Sequence, residues 1–349
     1  MKTSSRLSLL LPSLALLGVA CDDPLPEAWQ VDGFRVLAVR AEPPEVAPGT
    51  TVELDALVVD PTGGPPPRMT WYACIMPEAG VGFFGGSSET SSSGGEGTPL
   101  STDPYGGSCA ARALAGEPFT ELLGEGPTAT LEVPSDLLDD DRALKQAYGL
   151  DEDLEIPAEV QFAFLGIAGV NYTVSLVTEL PGGERLESMK RVNVSQESLV
   201  EDNARNLNPT DLAVHIAVAA LDVTPPATAP TPADGACFTE PGFVVVPGER
   251  YALNPINVPS PQTKYAVLLP GLGTGEAFEV RTTEETYFYA FFTTVGSLAK
   301  EDSKAPGEPR NTWRIPKSAA GTADLWIVLR DGRGGVSWCH SAVPIGAAP

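Results

Sequence analysis

Histidine is almost absent from this chain. Only His215 and His340 occur in 349 residues, and neither belongs to an HxxxH pattern, nor is there a CxxC pair. The common zinc-ligand spacings are therefore missing, and no metal centre is expected. The same shortage limits hydrolytic chemistry, because no G-x-S-x-G elbow is present and only these two imidazoles could serve as a histidine base. His215 alternates with apolar residues, as a strand residue facing solvent or a polar pocket would. His340 follows Cys339, and neighbours on a strand point to opposite faces, so the two cannot easily cooperate. Basic residues are also scarce: Lys+Arg 22 against Asp+Glu 46 gives a formal net charge of −24. Such a surface repels nucleic acid and anionic headgroups, which removes both as partners. Helical periodicity is rare, and after the first 20 residues no apolar run approaches the roughly 18 to 20 residues of a membrane helix.

Glycine and proline are plentiful instead, 35 and 34, beside 42% hydrophobic residues. That combination is turn-rich β structure rather than disorder. The clearest organisation is an internal repeat. VAPGTTVEL (46–54) and VVPGERYAL (245–253) share a Pro-Gly turn leading into a strand of alternating apolar residues. MTWYACIMPEAG (69–80) then corresponds to TYFYAFFTTVG (286–296), and TATLEVP (128–134) to RNTWRIP (310–316). Both copies close with a hairpin, YTVSLVTELPGGERLESMKRVNVS (172–195) and DLWIVLRDGRGGVSWCHSAV (324–343), whose turns carry the glycines that tight loops need. The expected fold class is all-β: two tandem immunoglobulin-like β-sandwich domains with long loops and one short helical insertion. The first domain is placed at 31–200 and the second at 206–349, with the polar segment 195–210 holding the boundary. DLAVHIAVAALDV (211–223) opens the second domain, with Leu212, Val214, Ile216 and Val218 on one face. TPPATAPTPADG (224–235) reads as an extended loop inside it, the alternative being a true linker that makes 207–223 a stray strand.

Two insertions interrupt the first copy. Residues 80–108 are Gly/Ser-rich and cannot pack a core; Phe83 and Phe84 are the anchors if this is a binding loop. SDLLDDDRALKQAYG suggests a helix over 135–148, with Ser135 as cap, acids in the first turn and Gly149 ending it. The acidic clusters 139–141 and 151–153 lack the spacing of a calcium loop, so Ca²⁺ has weak support and no cofactor is expected. GLGTGEAF (271–278) has glutamate where a phosphate loop needs its third glycine, and it reads as a hairpin turn. In the aromatic strand, Tyr287, Tyr289 and Phe291 share one face and Phe288 and Phe292 the other, so one set is core and the other could meet a glycan or protein.

The start of the chain is an address. Lys2 and Arg6 precede an apolar stretch over 7–17, and Gly18-Val19-Ala20 places small residues before Cys21. This is the layout of a signal peptide over 1–20. The cysteine at the cut resembles the lipobox of bacterial lipoproteins, which implies lipidation at Cys21 and a short tether over 21–30. Gly18 departs from that pattern, where a larger aliphatic residue usually stands, so a secreted chain is the alternative. Asp22 resembles an inner-membrane retention signal of enteric bacteria, and the choice of membrane stays open. If Cys21 is acylated, Cys74, Cys109, Cys237 and Cys339 remain for two disulfides in an oxidising compartment. Of three connectivities, Cys74–Cys109 and Cys237–Cys339 keep each bridge inside one domain.

The Pro-Gly turns, the aromatic strands and the closing hairpins resemble bacterial immunoglobulin-like and PKD-like domains. DLWIVLRDGRGGVSW is similar to uncharacterised envelope lipoproteins of Gram-negative bacteria. The chain departs from antibody-type domains, with no cysteine pair flanking Trp71, and from PKD domains, with no Asp-Gly-Asp segment. The expected function is an exported, lipid-anchored cell-envelope protein acting as a binding or structural module without catalysis. Its partners would be the membrane, through the lipid, and other envelope proteins or glycans. The alternative is a hydrolase or carbohydrate-active enzyme on a β scaffold.

Overall fold

A computed structural model describes residues 27–76, 108–139, 141–196, 205–219, 232, 235–238, 240, 242–258, 263–270 and 278–346. The first half contains β1 (Arg35–Glu42), β2 (Glu45–Val46), β3 (Thr51–Val59), β4 (Arg68–Ile75), β5 (Thr120–Glu125), β6 (Thr128–Glu132), β7 (Val170–Glu179) and β8 (Arg185–Val194). They form two sheets, β1-β3-β6 and β2-β8-β7-β4-β5. Between them lies a core that includes Val52, Leu54, Trp71, Leu131, Val174 and Leu176.

The second half repeats the plan. Its strands are β9 (Ala213–Val218), β10 (Arg250–Ile256), β11 (Lys264–Pro270), β12 (Phe278–Glu284), β13 (Tyr287–Thr293), β14 (Ser297–Leu298), β15 (Asp302–Ala305), β16 (Asn311–Arg314), β17 (Gly321–Arg330) and β18 (Val336–Ile345). The sheets β14-β16-β10-β9 and β15-β13-β17-β18 enclose Tyr251, Leu253, Tyr289, Phe291, Trp313 and Ile327, while β11 and β12 pair with each other as a separate hairpin. In both halves the opening strand switches sheets. β1 pairs antiparallel with β3, whereas β2 pairs parallel with β8; likewise β9 pairs with β10, whereas Val245 bridges in parallel to Ile345. This strand order makes both halves immunoglobulin-like sandwiches.

The repeated Pro-Gly turn does the same work twice. Gly49 N–H donates to Val133 O and Val133 N–H to Thr50 O; Gly248 N–H donates to Ile315 O and Ile315 N–H to Glu249 O, all at 3.0 Å. Both glycines have φ in the left-handed region, +77° and +90°, which a side chain would strain. Each core tryptophan also donates its indole N–H to a backbone carbonyl, Trp71 to Gly126 at 2.8 Å and Trp313 to Val295 at 2.9 Å. A buried indole N–H left unpaired would cost on the order of 1–3 kcal/mol.

Two features differ from the sequence expectation. The helix expected over 135–148 is α2 (Arg142–Tyr148), and Ser135 does not cap it. Leu137 and Leu138 instead turn into the core ahead of the helix, which starts only where Ala143, Leu144 and Ala147 can form a buried stripe. Gly149 ends it in the left-handed conformation, as expected. Two further helices are present. In α1 (Cys109–Ala115) Ser108 Oγ accepts from Ala111 N–H at 3.2 Å, and α3 (Ala158–Ile167) packs Phe164 and Leu165 into the first core. At seven residues α1 is too short to show a period in sequence. Its first residue is tied to β4 by a disulfide.

The second difference concerns 21–30. Trp29 and Gln30, placed in the tether by sequence, join the second half: Trp29 is buried in its core, Val31 N–H donates to Thr293 O, and Thr293 N–H to Trp29 O. The chain thus enters by way of the distal sandwich before building the first.

Candidate functional site

The halves meet through the outer face of the β13-β17-β18 sheet. Along β17, Leu325, Ile327 and Leu329 point into the second core, whereas Trp326 and Val328 point outward against Val31, Leu37, Ala38 and Val59 of the first half. The Arg40 guanidinium stacks over Trp338 at 4.5 Å, and Arg330 donates to Leu37 O at 3.2 Å. Elsewhere α3 lies against β11.

Beside this apolar seam is a charged one, built on the β17–β18 turn. Asp331 is 2% exposed, and its Oδ1 accepts the N–H groups of Arg333 and Gly335, both at 2.8 Å. That fixes the loop so that Arg333 reaches in two directions. Its Nη2 bonds Glu45 of the first half at 3.1 Å, its Nη1 bonds Glu285 of the second at 3.2 Å, and its guanidinium lies 4.7 Å from the Tyr265 ring. All three side chains of the ion triad are nearly buried. Asn206 seals the seam, donating its N–H to Glu45 and its amide to Asp331, each at 2.8 Å. Lys190 on β8 donates to Gly334 O. Burial pulls the Lys190 ammonium down to about 8, with Asp331 opposing and Arg330 adding to the shift.

Next to the triad is a cavity of about 360 Å³, between the linker 205–212 and the end of the second sandwich. Leu212, Ile256, Leu329 and the Tyr287 and Tyr289 side chains supply apolar wall, and Glu285, Arg333, Asn257, Thr210 and Thr263 supply polar groups. The Tyr287 hydroxyl donates to Glu285 at 2.7 Å. Tyr289, on the same face of β13, is 1% exposed, and among the described residues its hydroxyl has no hydrogen-bond partner. Burial raises the pKa of both phenols, and at Tyr287 the neighbouring carboxylate adds to the effect.

The residues singled out in sequence fall as follows. Cys74 is bonded to Cys109 and Cys237 to Cys339. Cys21, Phe83 and Phe84 lie outside the described residues, as do 271–277 of the glycine-rich turn, which joins two antiparallel strands. His215 pairs with Glu240, and His340 bonds Asp324 at 2.8 Å while stacking on Trp326, on the opposite face from Cys339. Of the aromatic strand, Tyr287, Tyr289 and Phe291 are core, Phe292 packs against the seam between the halves, and Phe288 is partly exposed. Asp141 is occupied by Lys145 at 2.9 Å, and among the described residues no group of three or more His, Cys, Asp or Glu side chains is placed to hold a metal. Among those residues no helix is long and apolar enough to cross a membrane. The triad was missed because Asp331 and Arg333 read only as turn residues. The unbroken LWIVL run was the available signal, since a strand without alternation is buried on both faces.

No protein-family model and no curated protein matches the chain. Among solved structures, the two tandem V-type regions of VCBP3, a v-region-containing chitin binding protein, are 11% identical, covering 89% of this chain and 100% of that one, with a TM-score of 0.23. The D0-D1 domain of intimin is 10% identical over 89% of this chain and 99% of that one, with a TM-score of 0.19. SGBP-B of the Bacteroides ovatus mixed-linkage glucan utilization locus is 13% identical over 95% of this chain and 47% of that one, with a TM-score of 0.15. Scores this low carry no argument, and the sandwich assignment rests on strand order.

Proposed function

We propose that this chain is an exported, lipid-anchored cell-envelope protein, acting as a binding or structural module without catalysis, whose two sandwiches work as one body. The observation that carries this reading is the use of the cysteines. Four of the five are spent in two buried disulfides, which persist in oxidising compartments. That leaves Cys21 alone, directly behind a signal-peptide pattern and in the position where a bacterial lipoprotein carries its diacylglycerol. The polar groups of the seam also favour a module. Arg333, Glu45, Asp331 and Asn206 bond one another across the halves, which is the use expected of a strut. With Trp29 held in the second sandwich, the free tether is no longer than 22–28, about 20–25 Å when extended, so the module stays close to its membrane. Its acidic surface selects basic protein partners or uncharged glycans.

The deciding measurement is the intact mass of the protein purified without reductant from membranes of its native host. An N-terminus at Cys21 carrying diacylglycerol, with two hydrogens missing for each of two cystines, is the expected result. An unlipidated chain overturns the anchor.

A further inference from the structure

We infer that the cavity between the linker 205–212 and the end of the second sandwich is a binding site for one uncharged sugar ring. The inference rests on the binding-module reading above and is independent of the anchor. At about 360 Å³ the space falls at the lower end of the range of small-molecule sites, enough for a single six-membered ring with its hydroxyls and too little for a chain of them.

The charges select against an ion. Four charged residues line the cavity, Arg205, Asp211, Glu285 and Arg333, and each already has a partner. Glu285 and Arg333 are bonded to each other at 3.2 Å, and Arg333 again to Glu45. Arg205 donates to Ser195 O at 3.4 Å, and Asp211 accepts from the Thr210 hydroxyl at 3.1 Å. A charged ligand would have to leave water for a wall whose own charges are already paired. A polyol gives up only hydrogen bonds, and the wall returns them. The polar groups there include the hydroxyls of Thr210 and Thr263, the amide of Asn257 and the carboxylate of Glu285. The apolar groups are Tyr287, Tyr289, Leu212, Ile256 and Leu329, which suit the C–H face of a sugar.

Tyr289 is the observation that points to a ligand. Its side chain is essentially buried, yet no described group bonds its hydroxyl, whereas the hydroxyl of Tyr287 two residues earlier is held by Glu285. A hydroxyl that no protein group bonds is completed in native proteins by a water or a ligand. Tyr289 lines the cavity, where a ligand would complete that hydroxyl.

The test is saturation-transfer NMR and calorimetry on the processed full-length chain, with glucose, galactose, mannose and N-acetylglucosamine as neutral probes, and acetate, phosphate and methylammonium as charged ones. At least one sugar should bind with a Kd on the order of 1 mM. Tyr289→Phe, which removes one oxygen and leaves the wall intact, should weaken it by about 5–10-fold, the scale of one lost hydrogen bond. Thr263→Trp, substituted at an exposed position of the rim, should abolish binding, with a thermal melt to show that the variant is folded. The inference is overturned if no sugar shows transfer, if a charged probe binds more tightly than every sugar, or if Thr263→Trp leaves the affinity unchanged. None of these outcomes bears on the mass at Cys21, so a failed site and a failed anchor are told apart.

Discussion

In the β7–β8 hairpin the turn closes on two backbone bonds of 2.8 Å, between Leu180 and Gly183 and between Leu180 and Glu184, and residues 181–184 are all exposed. The β17–β18 hairpin occupies the equivalent place in the other sandwich and is also turned by glycines, but Asp331 and Gly335 are buried and the turn joins the two halves. The strands follow suit. On β8 the exposed and buried residues alternate, while β17 is buried on both faces from Leu325 to Leu329. One hairpin ends in water and the other acts as a strut. The lesson is that turn chemistry fixes the backbone and says nothing of what the turn will touch. That is decided by the charged side chains it carries and by whether carboxylates wait on the other side.

The sharpest way to break this comparison is to remove the cation from each hairpin. Arg333→Ala leaves the carboxylates of Glu45 and Glu285 nearly buried without their counter-charge, which should cost about 3–5 kcal/mol in chemical denaturation. Arg185→Ala in the other hairpin removes a solvent-exposed pair with Glu179 and should cost less than about 1 kcal/mol. Equal costs would mean that the second turn is no strut. The next largest effect is a pH dependence. Lys190 belongs to the first hairpin but reaches the second turn, and its folded value near 8 lies below the ordinary 10.5. Below pH 8 both states hold the proton and the folded protein carries the full cost, about 3 kcal/mol for such a shift. Between pH 8 and 10.5 the unfolded chain binds more protons, so stability should rise with pH. Above about 10 the raised tyrosines reverse the trend, because only the unfolded phenols ionise there. The rise between pH 8 and 10 should disappear in Lys190→Met, and a wild-type curve that is flat in that window would remove Lys190 from the seam.

How much of this was legible follows from the same contrast. Val52, Leu54, Tyr251 and Leu253 announce their burial by alternation after a Pro-Gly turn, so both sandwiches could be read from the repeat. Trp29 could not, because a lone tryptophan in a polar stretch carries no period and Thr293, which bonds its backbone, lies in the other half of the chain. The LWIVL run states that a second face is covered but not by what, since burial by another half leaves the same mark as burial by a helix. The cavity is less legible still. Its wall combines the segment 205–212, whose polar composition marks a boundary, with the ends of strands chosen for their cores. Tyr289 reads as a core aromatic, and so it is; only the tertiary arrangement leaves its hydroxyl without a partner.

The smallest effect separates the two turns at the level of a methyl group. A Cβ on Gly335 would stand 2.1 Å from Asp331 Oδ2 and 2.9 Å from the Leu207 carbonyl, so the carboxylate that organises the turn and the linker beside it would both have to move. Gly335→Ala should therefore cost about 1–3 kcal/mol, the usual range for forcing an extra carbon into a packed site. At Gly182 a Cβ would meet nothing within 4 Å, and φ there does not lie in the left-handed region. Gly182→Ala should fall within about 0.5 kcal/mol of wild type, because the added carbon meets no atom in the fold and alanine restricts the unfolded chain. Thermal melts of the two variants side by side are enough. If Gly335→Ala proved as mild as Gly182→Ala, the linker would have to be free to retreat from the turn, and the seam it closes would be looser than the bonds from Asn206 to Glu45 and Asp331 imply.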